Sequence, residues 1–299
     1  MHGPALAAIL AAALGWGLAG VGVRFAFDEG AATLAVVVVR TLVAASAVFL
    51  YAAVARPALG KAAWWQGGLI GIPRIGLAPL CFIASLNHVS AGFQGLVITL
   101  TPVFTAAMGR LFLGERLSRV QVAGLVLGMT GSSLLILSGE TGLGDGSGST
   151  LVGGLLALGG VFFASTSMIF ARRFAPRHGT ASLAVPMFLA GALVVVPVAA
   201  VQGFEFASLT PTAWWVVVVI GFTGTLLPFV ATLYAARFVD AAIVAVTGYL
   251  APVLAVAGGV VLLDEVLAPS IVLGGLLALA GSVLVSRGRR PPPAAAVGP

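Results

Sequence analysis

The chain has 299 residues, of which 60% are hydrophobic and only 8% are charged, and its mean hydropathy is +1.14. Soluble domains carry about 25% charged residues, so this composition excludes a water-soluble globular protein and favours one that lies in a lipid bilayer. The single cysteine, Cys81, excludes a disulfide framework, and the cations behind the net charge of +6 are too scattered to form a nucleic-acid-binding face.

Ten apolar segments follow one another along the chain, and a helix of about 20 such residues spans the roughly 30 Å hydrocarbon layer of a bilayer. The first segment lacks a cationic start and is followed by nine similar ones, so we expect it to be retained rather than cleaved as a signal peptide. The sequence therefore predicts an all-α membrane protein with ten transmembrane helices. The predicted spans are 4–23, 32–53, 63–86, 89–110, 118–138, 150–171, 180–202, 213–236, 241–263 and 268–286.

Two polar stretches interrupt or follow these spans. Residues 139–149 are rich in glycine and serine, which predicts a flexible linker between two halves of the chain. The tail after Arg287 contains three consecutive prolines, which cannot continue a helix, so we expect it to be disordered. The predicted domains are a first five-helix repeat at 1–138, the linker at 139–149, a second five-helix repeat at 150–286 and the tail at 287–299.

The second half of the chain repeats the first at an offset of 150 residues, without a gap, so that 91–132 matches 241–282. Alanine, glycine and valine coincide easily in an apolar chain, whereas tryptophan pairs, lone prolines and lone glutamates do not. The rare residues that coincide therefore indicate a duplication. They are Pro102 with Pro252, Glu115 with Glu265, and the pair Trp64 and Trp65 with the pair Trp214 and Trp215.

The placement of the cations predicts the orientation. If the N-terminus is cytoplasmic, twelve of the fifteen Lys and Arg residues fall in cytoplasmic segments, only Arg24 lies outside, and Arg40 and Arg74 lie within spans. Because Lys and Arg resist translocation, we expect both termini on the cytoplasmic side. Each half has an odd number of helices, so the second half enters the membrane inverted. Inverted repeats are a common transporter architecture, in which two halves exchange conformations around a midplane site.

Each half carries the pattern Ala…Leu-x-Pro…Glu…Gly…Gly across its fourth and fifth helices, with Trp16 in the first helix and Arg40 in the second. On these residues the chain resembles the EamA-like family of the drug/metabolite transporter superfamily over about 4–286. The resemblance implies secondary transport through a central cavity lined by helices 1–4 and 6–9, with helices 5 and 10 peripheral. Arg74 departs from the family pattern, and its counterpart in the second half is Gly224.

Arg40 and Arg74 are the strongest candidates for substrate binding. An arginine near the bilayer centre costs about 2.5–3.5 kcal/mol on insertion scales, so each needs a compensating partner. No Asp or Glu lies within a predicted span, and a substrate carboxylate or phosphate can take that role, since guanidinium binds both in bidentate fashion. Arg40 lies closer to the outer end of its helix, so a packing or interface role is the alternative for it.

Further cavity candidates lie well inside the helices assigned to the cavity, although polar residues of this kind also hydrogen-bond between helices in ordinary packing. They are Trp16, Gln94, Thr99, Phe163, Ser165, Thr166, Thr247 and Tyr249. Pro102 and Pro252 are expected inside helices 4 and 9, where each is either a fixed kink or a hinge. Glu115 and Glu265 precede helices 5 and 10, where a carboxylate faces the positive helix end, with a gating ion pair as the alternative.

The expected function, under the family resemblance, is the export of small organic metabolites such as amino acids or related organic anions across a bacterial inner membrane. Two alternatives remain: an antiporter of phosphorylated metabolites or nucleotide sugars, which would need a denser cationic site, and a multidrug exporter. An enzyme is disfavoured because no acid pair, metal spacing or nucleophile–base arrangement is present. We expect no cofactor and no nucleic-acid partner. The expected partners are the substrate and the bilayer, with the protein a monomer or a homodimer.

Overall fold

The computed structural model describes residues 3–57, 59–143, 148–174, 178, 180–202, 209–235, 238–239 and 246–287. Throughout these residues the regular elements are helices, and no strand occurs among them. This confirms the predicted all-α class. The predicted disordered tail after Arg287 and the middle of the predicted linker, 144–147, lie outside the described residues.

The described residues form ten helices, numbered α1 to α10 in chain order, which lie along the apolar segments of the sequence. Among the described residues nine are long and apolar enough to cross a membrane, while α9 is shorter at 17 residues. Their bounds are α1 Gly3–Asp28, α2 Thr33–Ala55, α3 Lys61–Ser85, α4 Ala91–Leu113, α5 Arg119–Leu137, α6 Thr150–Phe174, α7 Thr180–Gln202, α8 as the consecutive pieces Pro211–Gly221, Phe222–Leu226 and Leu227–Ala235, α9 Thr247–Leu263 and α10 Pro269–Arg287. The start predicted for helix 9, at 241–245, falls outside the described residues.

The first helix is longer than its apolar run. The sequence predicts an end near residue 23, yet α1 continues to Asp28. Arg24 and Asp28 stand four residues apart on this last stretch, with Nη2 of the arginine 3.7 Å from Oδ1 of the aspartate. Such pairs stabilise a helix end beyond the apolar part, which hydropathy alone does not detect.

Two helices contain a π-helical segment in their middle, and the two segments begin 150 residues apart. They are Ile72–Leu77 in α3 and Phe222–Leu226 in α8. At the end of each segment a backbone N–H reaches back five residues, from Ala78 to the Pro73 carbonyl and from Leu227 to the Phe222 carbonyl. π-Helical turns occur frequently at functional sites. The repeat seen in the sequence is therefore a repeat of backbone irregularity as well.

The helices of each half pack mainly against helices of the other half. Helix α1 lies against α8 and α9, and its counterpart α6 lies against α3 and α4. Helix α3 packs on α7 in the same way that α8 packs on α2, and the counterparts α2 and α7, α4 and α9, and α5 and α10 also meet. The halves are thus interlocked rather than set side by side, which gives the two-repeat architecture.

Glycines set the crossing of α5 and α10. A Cβ added at Gly124 would lie 2.7 Å from the Gly281 carbonyl oxygen, and one at Gly131 would lie 2.6 Å from the Gly274 carbonyl oxygen. Such close backbone approach is typical of small residues between membrane helices. Numbers rise along one helix as they fall along the other, so α5 and α10 run antiparallel. The glycine faces of α5 and α10 are therefore used for packing within the chain.

The most buried helix is α2, whose residues 35–39 are almost inaccessible and pack against Val195 of α7 and Val217 of α8. The outer surface of the bundle carries large apolar side chains such as Leu50, Leu111 and Val201. A soluble monomer would not expose so many, whereas lipid chains cover them without cost. The protein is therefore a multi-pass membrane protein.

Candidate functional site

The π-helical segment of α3 places Arg74 in the middle of that helix, facing α1. Its guanidinium carbon lies 5.9 Å from the centre of the Trp16 ring, and both side chains are half-buried. This distance is within the range over which an aromatic face attracts a cation. The structure thus brings together the arginine and the tryptophan that the sequence proposed separately.

Arg40 reaches from α2 to the π-helical segment of α8. Its Nε donates to Thr225 Oγ1 at 2.6 Å, and its Nη2 donates to the Gly224 carbonyl oxygen at 3.2 Å. Pro228 has no N–H with which to occupy that carbonyl, which lies four residues earlier, so the oxygen is open to a side chain. The sequence analysis did not predict that Thr225 and Gly224 hold Arg40, and the proline four residues after Gly224 is the signal that could have indicated it.

Both of these arginines lie within membrane-spanning helices, Arg40 on α2 and Arg74 on α3. In the described part of the chain the ion pairs are Arg24 with Asp28 and Arg172 with Glu115, so neither Arg40 nor Arg74 has a carboxylate partner there. The same part contains no cluster of three or more His, Cys, Asp or Glu side chains that could bind a metal. The centre of the bundle is consequently cationic.

Several other predicted cavity residues use their polar groups inside the bundle. The buried Gln94 donates through Nε2 to Ser85 Oγ and to the Phe82 carbonyl, which joins α4 to the end of α3. The Thr99 hydroxyl donates to the Leu96 carbonyl at 2.6 Å. None of these bonds involves Arg74 or Trp16.

The candidates on α6 lie close to α4 or to their own helix. Ser165 is fully buried and donates to the Thr101 carbonyl at 3.3 Å, and Thr166 donates to the Phe162 carbonyl at 2.9 Å. The Phe163 ring meets the edge of the Phe162 ring, with centroids 5.5 Å apart. Thr166 is the repeat counterpart of Trp16, so the two halves present different chemistry at this position.

The two candidates on α9 differ from each other. The Thr247 side chain is buried, and its hydroxyl has no hydrogen-bond partner among the described residues. The Tyr249 hydroxyl bonds to Ser286 Oγ of α10 at 2.5 Å. This bond ties Tyr249 to α10, which itself packs chiefly on α5.

The two repeat prolines occupy different helical positions. Pro252 lies inside α9, as predicted. Helix α4, however, ends its first segment at Ile98 and begins again at Thr101, so Pro102 stands in the first turn of a new segment instead of a helix interior. A proline is favoured there because its missing N–H needs no partner. The break at Thr99 and Leu100 divides α4 into an eight-residue and a thirteen-residue piece.

Glu265, in the loop between α9 and α10, contacts a helix that the sequence did not suggest. Its Oε1 accepts from the Ala91 backbone N–H at 2.6 Å, and its Oε2 accepts from the Gly92 N–H at 2.9 Å. The expected positive helix end is therefore that of α4, not of α10. The repeat counterpart Glu115 is far more exposed and lies 3.5 Å from Arg172 Nη1.

Burial raises the pKa of the Glu265 carboxyl above its ordinary value. The N–H groups of Gly92 and Ala91, the Ser90 hydroxyl and the positive charge of Arg24 oppose that rise. These groups offset only part of the desolvation of the carboxylate, since the net direction is upward. Arg24 is itself anchored by donating to the Leu86 carbonyl at 3.0 Å.

The described residues of the predicted linker are packed beside Glu265. The Thr141 carbonyl accepts from the Ser90 N–H at 2.9 Å, and the Gly142 carbonyl accepts from the Val266 N–H at 3.2 Å. The Ser149 N–H donates to the His88 carbonyl at 3.2 Å. The linker therefore bridges both halves at this end of the bundle, which glycine and serine content alone does not predict.

The sequence model of the EamA-like transporter family matches this chain twice, over residues 3–137 and 151–287. The chain is also similar to curated proteins. A protein of Streptantibioticus cattleyicolor named "probable terminal-alkyne amino-acid exporter" is 29% identical over 208 residues, which cover 68% of this chain and 67% of that protein. The uncharacterized transporter YdfC of Bacillus subtilis is 26% identical over 193 residues, which cover 64% of this chain and 61% of its own length.

Among solved structures, one crystal structure matches 96% of this chain and 99% of its own chain with a TM-score of 0.62. Its sequence identity is 22%. At that identity the likeness concerns the fold alone.

Proposed function

The chain belongs to the EamA-like transporter family, and from that premise we propose that it is a secondary transporter that exports amino acids or related small organic anions. One relative is named as an amino-acid exporter and another as a transporter, which supports this direction and substrate class. The substrate binds near the middle of the bundle, between the π-helical segments of α3 and α8.

The observation that carries the proposal is Arg74 beside Trp16. A half-buried guanidinium without a carboxylate partner in the described part of the chain favours a ligand that brings its own negative charge. A substrate carboxylate can accept two parallel N–H bonds from Arg74, a geometry that a lysine cannot reproduce. The Trp16 ring then packs against the rest of the substrate.

Arg40 has a different part in this site. Its bonds to Thr225 and Gly224 hold its guanidinium against α8, so it contributes charge at a distance rather than a direct bond. Its charge adds to the positive potential that an anion meets within the bundle. The other predicted ligands contact the substrate only if helix movements expose them.

Transport proceeds by alternating access between two inverted halves. The antiparallel crossing of α5 and α10 and the interlocked packing of the halves support this arrangement. The break in α4 and the interior Pro252 of α9 supply hinges at equivalent depths of the two halves. Exchange of the two halves' conformations then opens the site to each side in turn.

The protein lies in the cell inner membrane with both termini in the cytoplasm. In that orientation Arg24, Glu265 and the linker share the external end. A cysteine placed at Gly146, in a Cys81→Ser background, is expected to react with an impermeant maleimide in intact cells. Reaction only after permeabilisation would reverse the orientation.

The test of function uses purified protein in liposomes and follows efflux of an amino acid and of its amide, which lacks the carboxylate. Wild type and the exposed-residue control Arg110→Leu should export the amino acid, whereas Arg74→Leu should lose at least about tenfold in affinity for it, since a charge-assisted hydrogen bond is worth about 1.5–3 kcal/mol. Arg74→Lys should fall between them. Equal losses for the amino acid and the amide would show that Arg74 does not bind the carboxylate.

A further inference from the structure

One end of the bundle is held together by a carboxylate that joins the two halves. Glu265 belongs to the second half, and the N–H groups of Ala91 and Gly92, which it binds, begin α4 of the first half. The first N–H groups of a helix have no partner within the helix, so a carboxylate there satisfies two of them at once. We call this contact the clasp.

The clasp is a fitted site rather than a chance surface contact. The Glu265 side chain lies between two glycines: a Cβ at Gly92 would be 3.1 Å from Oε2, and one at Gly259 would be only 2.0 Å from it. The side chain is almost completely buried. Any side chain at Gly259 would displace the carboxylate, so the backbone leaves room for Glu265 in this position.

The clasp holds only the first part of α4. Ala91–Ile98 is a separate segment, divided from the rest of α4 by the break at Thr99 and Leu100. On the side facing α9 two glycines of the segment lie close to that helix: a Cβ at Gly95 would lie 2.7 Å from the Ala255 Cβ, and one at Gly92 would lie 3.4 Å from the Val256 Cα. The break at Thr99 and Leu100 gives the segment a point at which it can turn relative to the rest of α4.

We propose that Glu265 is the latch that closes this end of the transporter, and that its release from Ala91 and Gly92 lets the first segment of α4 swing away from α9. The inference rests on alternating access, part of the function proposed above. The net rise in the pKa of Glu265 fits a latch, because a buried carboxylate whose desolvation is only partly offset returns readily to water. Glu265 is thus a positioning residue and does not contact the substrate.

The test measures a distance and needs no substrate. Spin labels at the exposed positions Asn87 and Val266, in a Cys81→Ser background, report the separation of the turn that precedes α4 from the loop between α9 and α10. Wild type should give mainly one short distance, with the open state below about 10%. Glu265→Ala should make a longer distance the major population. Glu140, an exposed carboxylate of the linker, provides the matched control. Glu140→Ala should give the wild-type distance distribution.

A folded Glu265→Ala protein with the wild-type distance distribution would overturn the latch. If Glu265→Ala does not fold, the Glu265→Asp variant tests the latch instead. The aspartate keeps the negative charge, but its shorter side chain cannot reach both N–H groups. A longer population in Glu265→Asp supports the latch, and an unchanged distribution overturns it. The result stands whether or not the liposome assay finds amino-acid export, so failure of the latch and failure of the proposed function are distinguishable.

Discussion

The π-helical segments of α3 and α8 occupy equivalent positions in the two halves but carry opposite kinds of polar group. The segment Ile72–Leu77 supplies a cation, Arg74, while Phe222–Leu226 supplies the two acceptors that hold Arg40. At the position of Arg74 the second half has Gly224, whose carbonyl oxygen is one of those acceptors.

This difference shows what the duplication kept and what it changed. The backbone irregularity is present twice, so it belongs to the scaffold that both halves share. The candidate anion-binding group is present only in the first half. Arg40 is hydrogen-bonded to α8, while Arg74 has no acidic partner in the described residues. A two-fold scaffold can in this way present one asymmetric binding site to a small substrate that has no symmetry of its own.

The sharpest test of the shared scaffold is a pair of glycine substitutions. A Cβ at Gly71 would lie 2.1 Å from the Met187 carbonyl oxygen, whereas one at the equivalent Gly221 would meet the Val43 Cβ at 3.0 Å. Gly71→Ala should cost about 3 kcal/mol of unfolding free energy and Gly221→Ala about 1 kcal/mol, since overpacking costs rise with the closeness of the clash. Thermal unfolding in detergent measures both, and equal losses would contradict the tighter contact of α3 with α7.

The second test removes each arginine in turn. Arg40→Leu leaves the Thr225 hydroxyl and the Gly224 carbonyl without their partner and should destabilise the fold by about 2 kcal/mol. Arg74→Leu should leave unfolding within about 1 kcal/mol of wild type, because only its contact with the Trp16 ring is lost. Chemical unfolding monitored by tryptophan fluorescence compares the two. A larger loss for Arg74→Leu would make Arg74 the structural arginine.

A third pair concerns one hydroxyl in the α8 segment. Thr225→Val removes the acceptor 2.6 Å from Arg40 Nε and should cost about 1 kcal/mol. Thr223→Val, two residues away, removes only a bond to the Val219 carbonyl at an exposed site and should cost less than about 0.5 kcal/mol. If the two variants unfold alike, Thr225 does not hold Arg40.

The smallest effect on binding is expected at Trp16, which lies beside Arg74 and whose counterpart in the other half is Thr166. Trp16→Leu removes the aromatic face beside the guanidinium and should weaken anion binding about two- to fivefold, the equivalent of about 0.5–1 kcal/mol. The equivalent change in the other half, Thr166→Val, should leave binding unchanged. Isothermal titration with the amino acid that wild type exports gives both values, and a shared loss would place the substrate between α1 and α6 instead.

Hydropathy and the internal repeat predicted most of the fold. Span lengths and an ungapped offset of 150 residues are properties of the sequence itself, so helix bounds such as Arg119–Leu137 and Pro269–Arg287 differ from prediction by only one or two residues. The π-helical segments and the break in α4 were not predicted. They depend on which carbonyls a proline leaves free and which neighbours approach, and these are tertiary facts.

The sequence predicted which residues of the candidate site carry charge or an aromatic ring, but not which partners those residues contact. Arg74 and Trp16 stood out because a charge and an aromatic ring within apolar spans need a reason. Nothing in the sequence paired Arg40 with Thr225, or Glu265 with the start of α4, because those pairs are separated by more than 170 residues. The bond of Tyr249 to Ser286 of α10 was likewise not visible in the sequence, since helix rotation decides which face a residue presents.

The antiparallel crossing of α5 and α10 carries a consequence for how such a chain could arise. Gly124 and Gly131 of one helix are the counterparts of Gly274 and Gly281 of the other, so the same surface meets itself across the crossing. In separate subunits this would be an isologous contact of the kind found in two-fold dimers. A protein made of a single half could form it only by inserting into the membrane in both directions, so fusion of the halves replaces a mixture of orientations with one fixed pair.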